Sequence, residues 1–174
     1  MFIGSDDFLK PNALQLYKEF IEKHVLTDCL YISSKNEIID SNKNIIRIYG
    51  WPWLWKTFKR RNNISHPGSL HSYKLFKNYG MYDENYKIAG DYELLLRPKE
   101  KLNAMFLNEI TMQVTQGGVS SNPQMFEEHY NAVVNTAKTS KLLAIYDFYV
   151  QYMKMFLKNF FMNYGIHLKY KKEY

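Results

Sequence analysis

Cysteine is almost absent from this sequence, which has a single one, Cys29, among 174 residues. One cysteine excludes an internal disulfide and a cysteine-based zinc site, and it is compatible with a reducing compartment. The first residues lack the basic and apolar segments of a signal peptide, and no uninterrupted apolar run reaches the roughly 18 residues of a spanning helix. The sequence therefore predicts a cytoplasmic protein without a transmembrane helix.

Acidic residues are fewer than basic ones, 17 against 23, so the formal net charge is +6 and the isoelectric point is near 9.2. Such a balance favours anionic partners: nucleotide phosphates, nucleic acid or acidic lipid headgroups. We do not expect nucleic acid among them, because the positive residues are dispersed among the acids and no recognition motif is present. A hydrophobic fraction of 46% indicates a globular chain with a real core.

Helices and strands are both predicted from the spacing of apolar and turn-forming residues. Pro11 suits the first turn of a helix that continues to Lys23, and a short helix over 72–79 ends at Gly80. Two more helices are predicted at 126–138 and 141–164. Extended segments are predicted at 2–3, 29–33, 45–49, 64–70 and 105–114, with 37–40 as the hairpin partner of 29–33.

Two acidic segments stand far apart in the sequence. Asp91 and Glu93 lie in the segment 88–97, where a helix or a buried strand leaves a loop and its carboxylates can face a cleft. Asp6 and Asp7 lie in a turn near the N-terminus. Two such sites suggest a divided task, in which one holds a metal-bound phosphate and the other takes a proton.

Five short segments resemble motifs of the family 2 glycosyltransferases, which are inverting enzymes of the GT-A fold. In chain order they are similar to the family's Asp-x-Asp region, its histidine-containing acceptor-side strand, its Phe-x-x-x-Gly-x-Phe-Asp-Glu stretch, its Asp-Tyr-Asp-Leu-Leu-Leu-Arg segment and its Gly-Gly-Ile-Ser loop. The segments are 4–14, 64–70, 76–84, 88–97 and 116–121. Each is weak alone, and the shared order makes the resemblance strong.

The resemblance implies an α/β chain with a partial GT-A fold. Residues 1–122 would form the C-terminal part of a catalytic domain, and 123–174 an amphipathic helical extension. The nucleotide-binding half that the family carries before its Asp-x-Asp strand has no counterpart in this sequence. We therefore expect a truncated or split transferase whose isolated chain binds nucleotide poorly.

The resemblance also implies roles for single residues. Asp91 takes the position of the base that deprotonates the acceptor hydroxyl, and Gly90 stands where many members have glutamate. Asp7 would ligate Mg²⁺ or Mn²⁺ at the departing diphosphate, and Asp6 would lie next to the ribose or the metal. The implied partners are a nucleotide-sugar donor and a saccharide or lipid-linked acceptor. The implied substrate-binding residues are His66, Glu93, Arg97, Gly117 and Gly118.

Simpler interpretations of the same residues stay open. Asp6 and Asp7 could only cap the helix that follows Pro11, and Asp91 could only cap a helix or pair with Arg97. Arg97 could also pair with another carboxylate and orient the loop. The alternative function is a non-catalytic remnant that binds a saccharide or a membrane.

The predicted helix 141–164 has two open interpretations. Its polar residues Asp147, Gln151, Lys154 and Lys158 fall on one face, and aromatic side chains cover the rest. The helix either packs against the domain or a partner subunit, or it makes a peripheral contact with the inner face of the cell membrane.

Two further clusters have plain structural interpretations. The tryptophans at 51, 53 and 55 are expected in the core rather than against a sugar. The basic run 59–61 is expected to form a solvated loop rather than a phosphate clamp.

Overall fold

The computed structural model describes residues 1–24, 28–117 and 122–163, and these ranges contain six α-helices and one mixed sheet of five strands. In chain order the elements are β1 Phe8–Leu9, α1 Ala13–Lys23, β2 Tyr31–Ile39, β3 Ile45–Tyr49, α2 Trp55–Phe58, β4 Ser65–His71, α3 Tyr73–Tyr79, α4 Gly90–Leu96, a 3₁₀ turn Lys99–Lys101, β5 Ala104–Thr115, α5 Gln124–Asn135 and α6 Lys141–Asn163. This architecture confirms the predicted α/β class and is consistent with a partial GT-A fold.

The centre of the sheet is β2. It runs parallel to β5 along one edge. Along its other edge, the first half of β2 pairs antiparallel with β4 and the second half pairs antiparallel with β3. The short β1 continues the sheet on the far side of β5, also antiparallel. Residues at the start of β2 are therefore brought next to those of β4.

The hairpin predicted between residues 29 and 40 is wrong, because β2 is one continuous strand. Two of the three supposed turn residues, Ser34 and Asn36, are buried within it and hydrogen-bonded. Ser34 Oγ lies 2.6 Å from Thr111 Oγ1, and Asn36 Nδ2 donates to the carbonyl oxygen of Pro67 at 2.7 Å. Turn-forming side chains are tolerated in a buried strand when distant partners satisfy them.

The strand predicted at Phe2–Ile3 is also wrong as a regular element. Phe2 makes one backbone hydrogen bond, in which Gly68 N donates to Phe2 O at 3.0 Å. The ring of Phe2 nevertheless packs edge-to-face on His71 and Tyr82, so the segment lies against the end of β4.

Two hydrophobic clusters lie on opposite faces of the sheet, as the alternation of Tyr31 and Ile32 in β2 requires. Ile32 packs with Tyr17 of α1 and with β5. Tyr31 belongs to the larger cluster, whose members include Leu94, Leu95 and Leu96 of α4, Ala132 and Val133 of α5, and Ala144 of α6. Helices α5 and α6 thus share a core with the elements before them. The division into a catalytic part, 1–122, and a helical extension, 123–174, stays a prediction.

The helix predictions are confirmed, with ends shifted by at most three residues, the largest shift being at the end of the helix predicted over 126–138. At α3, Ser72 Oγ accepts a hydrogen bond from Lys74 N, and Gly80 ends the helix with φ +85°, a conformation that favours glycine. The tryptophan prediction is confirmed for Trp53 and Trp55, which pack against the larger core.

The last helix, α6, is held by aromatic contacts and still exposes much apolar surface. Phe148 packs edge-to-face on Phe126 and Tyr130 of α5. Its exposed apolar residues include Leu142, Tyr146, Tyr149, Met153 and Phe156. Within the described ranges, α6 and every other helix are too short or too polar to cross a membrane. Both interpretations of α6 stay predictions.

Candidate active site

Asp91 lies in the first turn of α4 and faces the strands at the centre of the sheet. Its Oδ2 is 3.6 Å from Nδ1 of His66 in β4, and the same nitrogen is 3.5 Å from the hydroxyl of Tyr31 in β2. Asp91 Oδ1 accepts a hydrogen bond from Tyr92 N. The side chain of Asp91 keeps 29% of its surface exposed, against 14% for His66. The carboxylate is thus positioned by packed elements and still reachable from solvent.

Aromatic rings surround this pair and keep its interior side dry. The His66 and His71 rings are 5.0 Å apart, and His71 is also 5.0 Å from the Tyr31 ring. Burial lowers the pKa of His66, and it lowers the pKa of His71 to about 3. Burial, followed by the charge of Asp91, raises the pKa of Tyr82 to about 12. Both imidazoles are therefore neutral at neutral pH. Neither ring nitrogen of His71 has a hydrogen-bond partner among the described residues.

The carboxylates of Asp6 and Asp7 converge on Gly4. A Cβ added at Gly4 would lie 2.7 Å from Asp7 Oδ2 and 3.4 Å from Asp6 Oδ1. Asp7 accepts hydrogen bonds from Gly4 N at 3.3 Å and Thr115 N at 3.2 Å, and Thr115 Oγ1 donates to Asp6 O. Burial is the main cause that raises the pKa of Asp7. The acidic turn is thus tied to the end of β5.

This acidic turn suits one kind of metal site. In the part of the chain that the structure describes, no group of three or more His, Cys, Asp and Glu side chains could hold a metal ion. Mg²⁺ typically takes one or two carboxylates and completes its coordination with phosphate oxygens and water. Asp6 and Asp7 therefore fit a metal that arrives with a diphosphate, and they do not form an all-protein cage.

Gly117 lies two residues after the end of β5, whose last residue, Thr115, contacts the acidic turn. It has φ +107°, which favours glycine, and an added Cβ would have no atom within 4 Å. This open space is compatible with the predicted approach of a substrate, which stays a prediction. Gly118 lies outside the described residues.

Glu93, which is buried, and Arg97, which is partly buried, form an ion pair along α4. Arg97 donates to both carboxylate oxygens of Glu93, and its Nη1 also donates to the carbonyl oxygens of Tyr79 at 2.7 Å and Met81 at 2.8 Å. Thr136 Oγ1 donates to Glu93 at 2.8 Å. The pair ties the loop after α3 to α4 and α5. Arg97 thus pairs with a carboxylate, as the sequence allowed; substrate contact by either residue stays a prediction.

Glu128 of α5 is a site residue that the sequence did not indicate. Its Oε2 accepts hydrogen bonds from Ile88 N at 2.7 Å and Ala89 N at 2.9 Å, directly before α4. Burial alone would raise its pKa, yet these backbone donors hold the pKa below its usual value. The side chain fixes the start of the helix that carries Asp91. No local pattern could have revealed it, because its partners lie about 40 positions away.

The chain is similar in part to large bacterial synthases. It is 25% identical over 150 residues to a chondroitin synthase of Pasteurella multocida (strain Pm70), covering 84% of this chain and 15% of the relative. It is 25% identical over 137 residues to a chondroitin synthase of Escherichia coli, covering 76% and 20%. A hyaluronan synthase of Pasteurella multocida is 28% identical over 109 residues, covering 62% and 11%. No protein-family model matches.

By their names, these relatives synthesise chondroitin or hyaluronan. The chain spans at most 20% of the length of each of them. The similarity therefore concerns one part of those proteins.

Proposed function

We propose that this chain is the acceptor-side part of a family 2 glycosyltransferase that transfers a sugar from a nucleotide donor to a saccharide or lipid-linked acceptor with inversion. The observation that carries the proposal is the placement of Asp91, partly exposed at the start of α4 and 3.6 Å from the partly buried His66. Similarity to synthases of chondroitin and hyaluronan supports a saccharide acceptor and a role in polysaccharide biosynthesis. A cytoplasmic location belongs to the same proposal.

Asp91 is the general base in this mechanism. It takes the proton of the acceptor hydroxyl while that oxygen attacks the anomeric carbon opposite the departing nucleoside diphosphate. The bond to the acceptor oxygen forms as the bond to the diphosphate breaks, which inverts the anomeric configuration. His66 lies beside Asp91, and because burial lowers its pKa it adds no competing positive charge.

The acidic turn serves the leaving group. Asp7, with Asp6 beside it, would hold Mg²⁺ or Mn²⁺, whose charge offsets that of the departing diphosphate. The convergence of both carboxylates on Gly4 supports this assignment. Proton transfer and leaving-group stabilisation thus fall to separate segments, as the sequence suggested.

The experiment is a transfer assay on the protein expressed from its own gene, with labelled nucleotide sugars and saccharide acceptors. We expect Asp91→Asn to lower kcat by roughly 10²–10⁴-fold, the usual contribution of a general base, with little change in KM for the acceptor. Asp28→Asn is the control, because Asp28 is exposed and contacts only Lys74 among the ion pairs of the described chain. NMR of the product reports its anomeric configuration.

Three results would contradict the proposal. Full activity in folded Asp91→Asn protein would show that Asp91 is not the general base. Retention of the anomeric configuration in the product would refute the inverting mechanism. Saccharide binding without turnover of any nucleotide sugar would favour the non-catalytic binding module.

A further inference from the structure

We propose that a second ligand site lies between α2 and α6, where a positively charged groove binds the carboxylates of an acidic saccharide chain. The groove has a volume of about 780 Å³ and is open to solvent. Residues of α2, of the loop after it and of α6 line it, together with Arg47 of β3 and Phe126 of α5. None of its lining residues belongs to the Asp91 site.

The charge of the groove is unbalanced. Arg47, Lys56, Arg61 and Lys154 line it, and none of the four makes an ion pair with another described residue. Its one acidic lining residue, Asp147, is already bound by Arg60. The four other cations are exposed and are therefore available to an anion from outside.

The Arg60–Asp147 pair also fixes the groove's shape. Arg60 Nε donates to Asp147 Oδ2 at 2.8 Å, and Nη2 donates to Oδ1 at 2.6 Å. This two-point bond ties the basic loop to α6, so the expectation of a purely solvated loop is wrong for Arg60. The walls are held together before any ligand binds, which lowers the entropy cost of binding.

The neutral lining favours a saccharide. Thr57, Asn62 and Gln151 offer a hydroxyl and two amides, which hydrogen-bond to sugar hydroxyls, while Phe126 and Tyr146 offer aromatic surface. Arginine matches a carboxylate with two parallel hydrogen bonds. A membrane surface is flat on this scale and would not fill a concave groove.

Tyr49 lies beside two of the groove's lining residues. Its hydroxyl donates to Asn62 O at 2.9 Å, and the Arg47 guanidinium lies 5.3 Å from the centre of its ring. Tyr49 thus supports this side of the groove. Service of the bound chain as the acceptor for Asp91 rests on the proposed function; binding in the groove does not.

Calorimetry on the 174-residue chain tests the groove with an oligogalacturonate of defined length and its methyl ester, which has the same backbone without charge. We expect the acid to bind and the ester to bind at least about tenfold more weakly. Raising the ionic strength from about 0.05 M to about 0.5 M shortens the Debye length about threefold and should weaken binding of the acid.

Two triple variants of equal net charge locate the site. Arg47→Gln/Arg61→Gln/Lys154→Gln should weaken binding of the acid by about tenfold or more. The control Lys23→Gln/Lys77→Gln/Lys101→Gln removes three exposed cations outside the groove and should change it by less than about threefold. Circular dichroism and thermal melts confirm that both variants fold.

Four outcomes would overturn the inference. They are no binding of the acid at low salt, equal binding of acid and ester, equal losses in both triple variants, and groove-dependent binding of phosphatidylglycerol vesicles or of UDP without binding of the acid. Groove-dependent binding of the acid by a protein that transfers no sugar would support the groove and refute the proposed function, so the two failures are distinguishable.

Discussion

The two acidic regions of this protein are held in different ways. Asp91 starts a helix whose first turn is fixed by buried Glu128 and whose far end is fixed by the Glu93–Arg97 pair. Asp7 lies in an exposed turn, and its carboxylate meets two backbone donors, Gly4 N and Thr115 N. One region is organised by buried charges, and the other depends on a few peripheral hydrogen bonds.

The difference follows from the tasks that the proposed mechanism gives to each region. A general base must keep its geometry before the substrate arrives, because small displacements are costly for proton transfer. A carboxylate that shares a metal with a diphosphate can take its final position when the ligand binds. If this comparison is correct, damage to the supports of α4 should cost folding stability, whereas damage to the acidic turn should not.

Arg97→Met should have the largest effect on stability. It leaves the buried carboxylate of Glu93 without its partner and frees the carbonyl oxygens of Tyr79 and Met81. Breaking a buried ion pair from one side typically costs about 3–5 kcal/mol. Urea denaturation measures this loss in the free energy of unfolding.

Two further variants sharpen the Arg97 result. Lys18→Met breaks an exposed pair with Glu22 at 3.9 Å and should cost at most about 1 kcal/mol. The double variant Glu93→Gln/Arg97→Met should be more stable than Arg97→Met alone, because it removes the unpaired charge. If Arg97→Met costs no more than Lys18→Met, the buried pair does not organise α4.

Glu128→Gln should have an intermediate effect of about 1–2 kcal/mol, since it weakens charge-assisted hydrogen bonds to Ile88 N and Ala89 N. The folded-state pKa of Glu128 is lowered, so its contribution is complete above its usual value of 4.5 and is lost as the pH falls through the folded value. The free energy of unfolding of the variant should therefore fall less steeply than that of the wild type as the pH is lowered. Urea midpoints measured from neutral to acid pH test this.

Glu127→Gln is the matched control for Glu128, because Glu127 is exposed and adjacent in the same helix. At neutral and at acid pH, it should leave the free energy of unfolding within about 0.5 kcal/mol of the wild type. Amide hydrogen exchange should become faster at Ile88 and Ala89 in Glu128→Gln alone. Equal behaviour of the two variants would refute the role of Glu128.

The sequence predicted what local signals determine. The helix over 72–79 was predicted correctly because Gly80 marks its end, and Asp91 was proposed as the base because its segment resembles a known motif. The hairpin was wrong because the partner of Ser34, Thr111, is 77 positions away. Glu128 was missed for the same reason. Buried polar residues with distant partners are invisible to a local pattern.

Asp7→Asn should have the smallest effect on stability, within about 0.5–1 kcal/mol of the wild type at neutral pH, as is usual for exposed turns. Burial raises the folded-state pKa of Asp7, so the contribution of this group is present at low pH and is lost as the pH rises through the folded value. Removing its charge should therefore cost little at neutral pH, although asparagine has one acceptor oxygen for the two backbone donors. Thermal melts measure the difference.

Asp7→Asn should instead act on the metal dependence of transfer. In the protein expressed from its gene, the variant should need a higher concentration of Mn²⁺ for half-maximal rate, because one carboxylate ligand is lost. Asp40→Asn is the control, since Asp40 is an acid in another exposed turn, where it accepts hydrogen bonds from Asn42 N and Asn44 N. A large loss of stability in Asp7→Asn with unchanged metal dependence would reverse the comparison, since the acidic turn would then be a structural support.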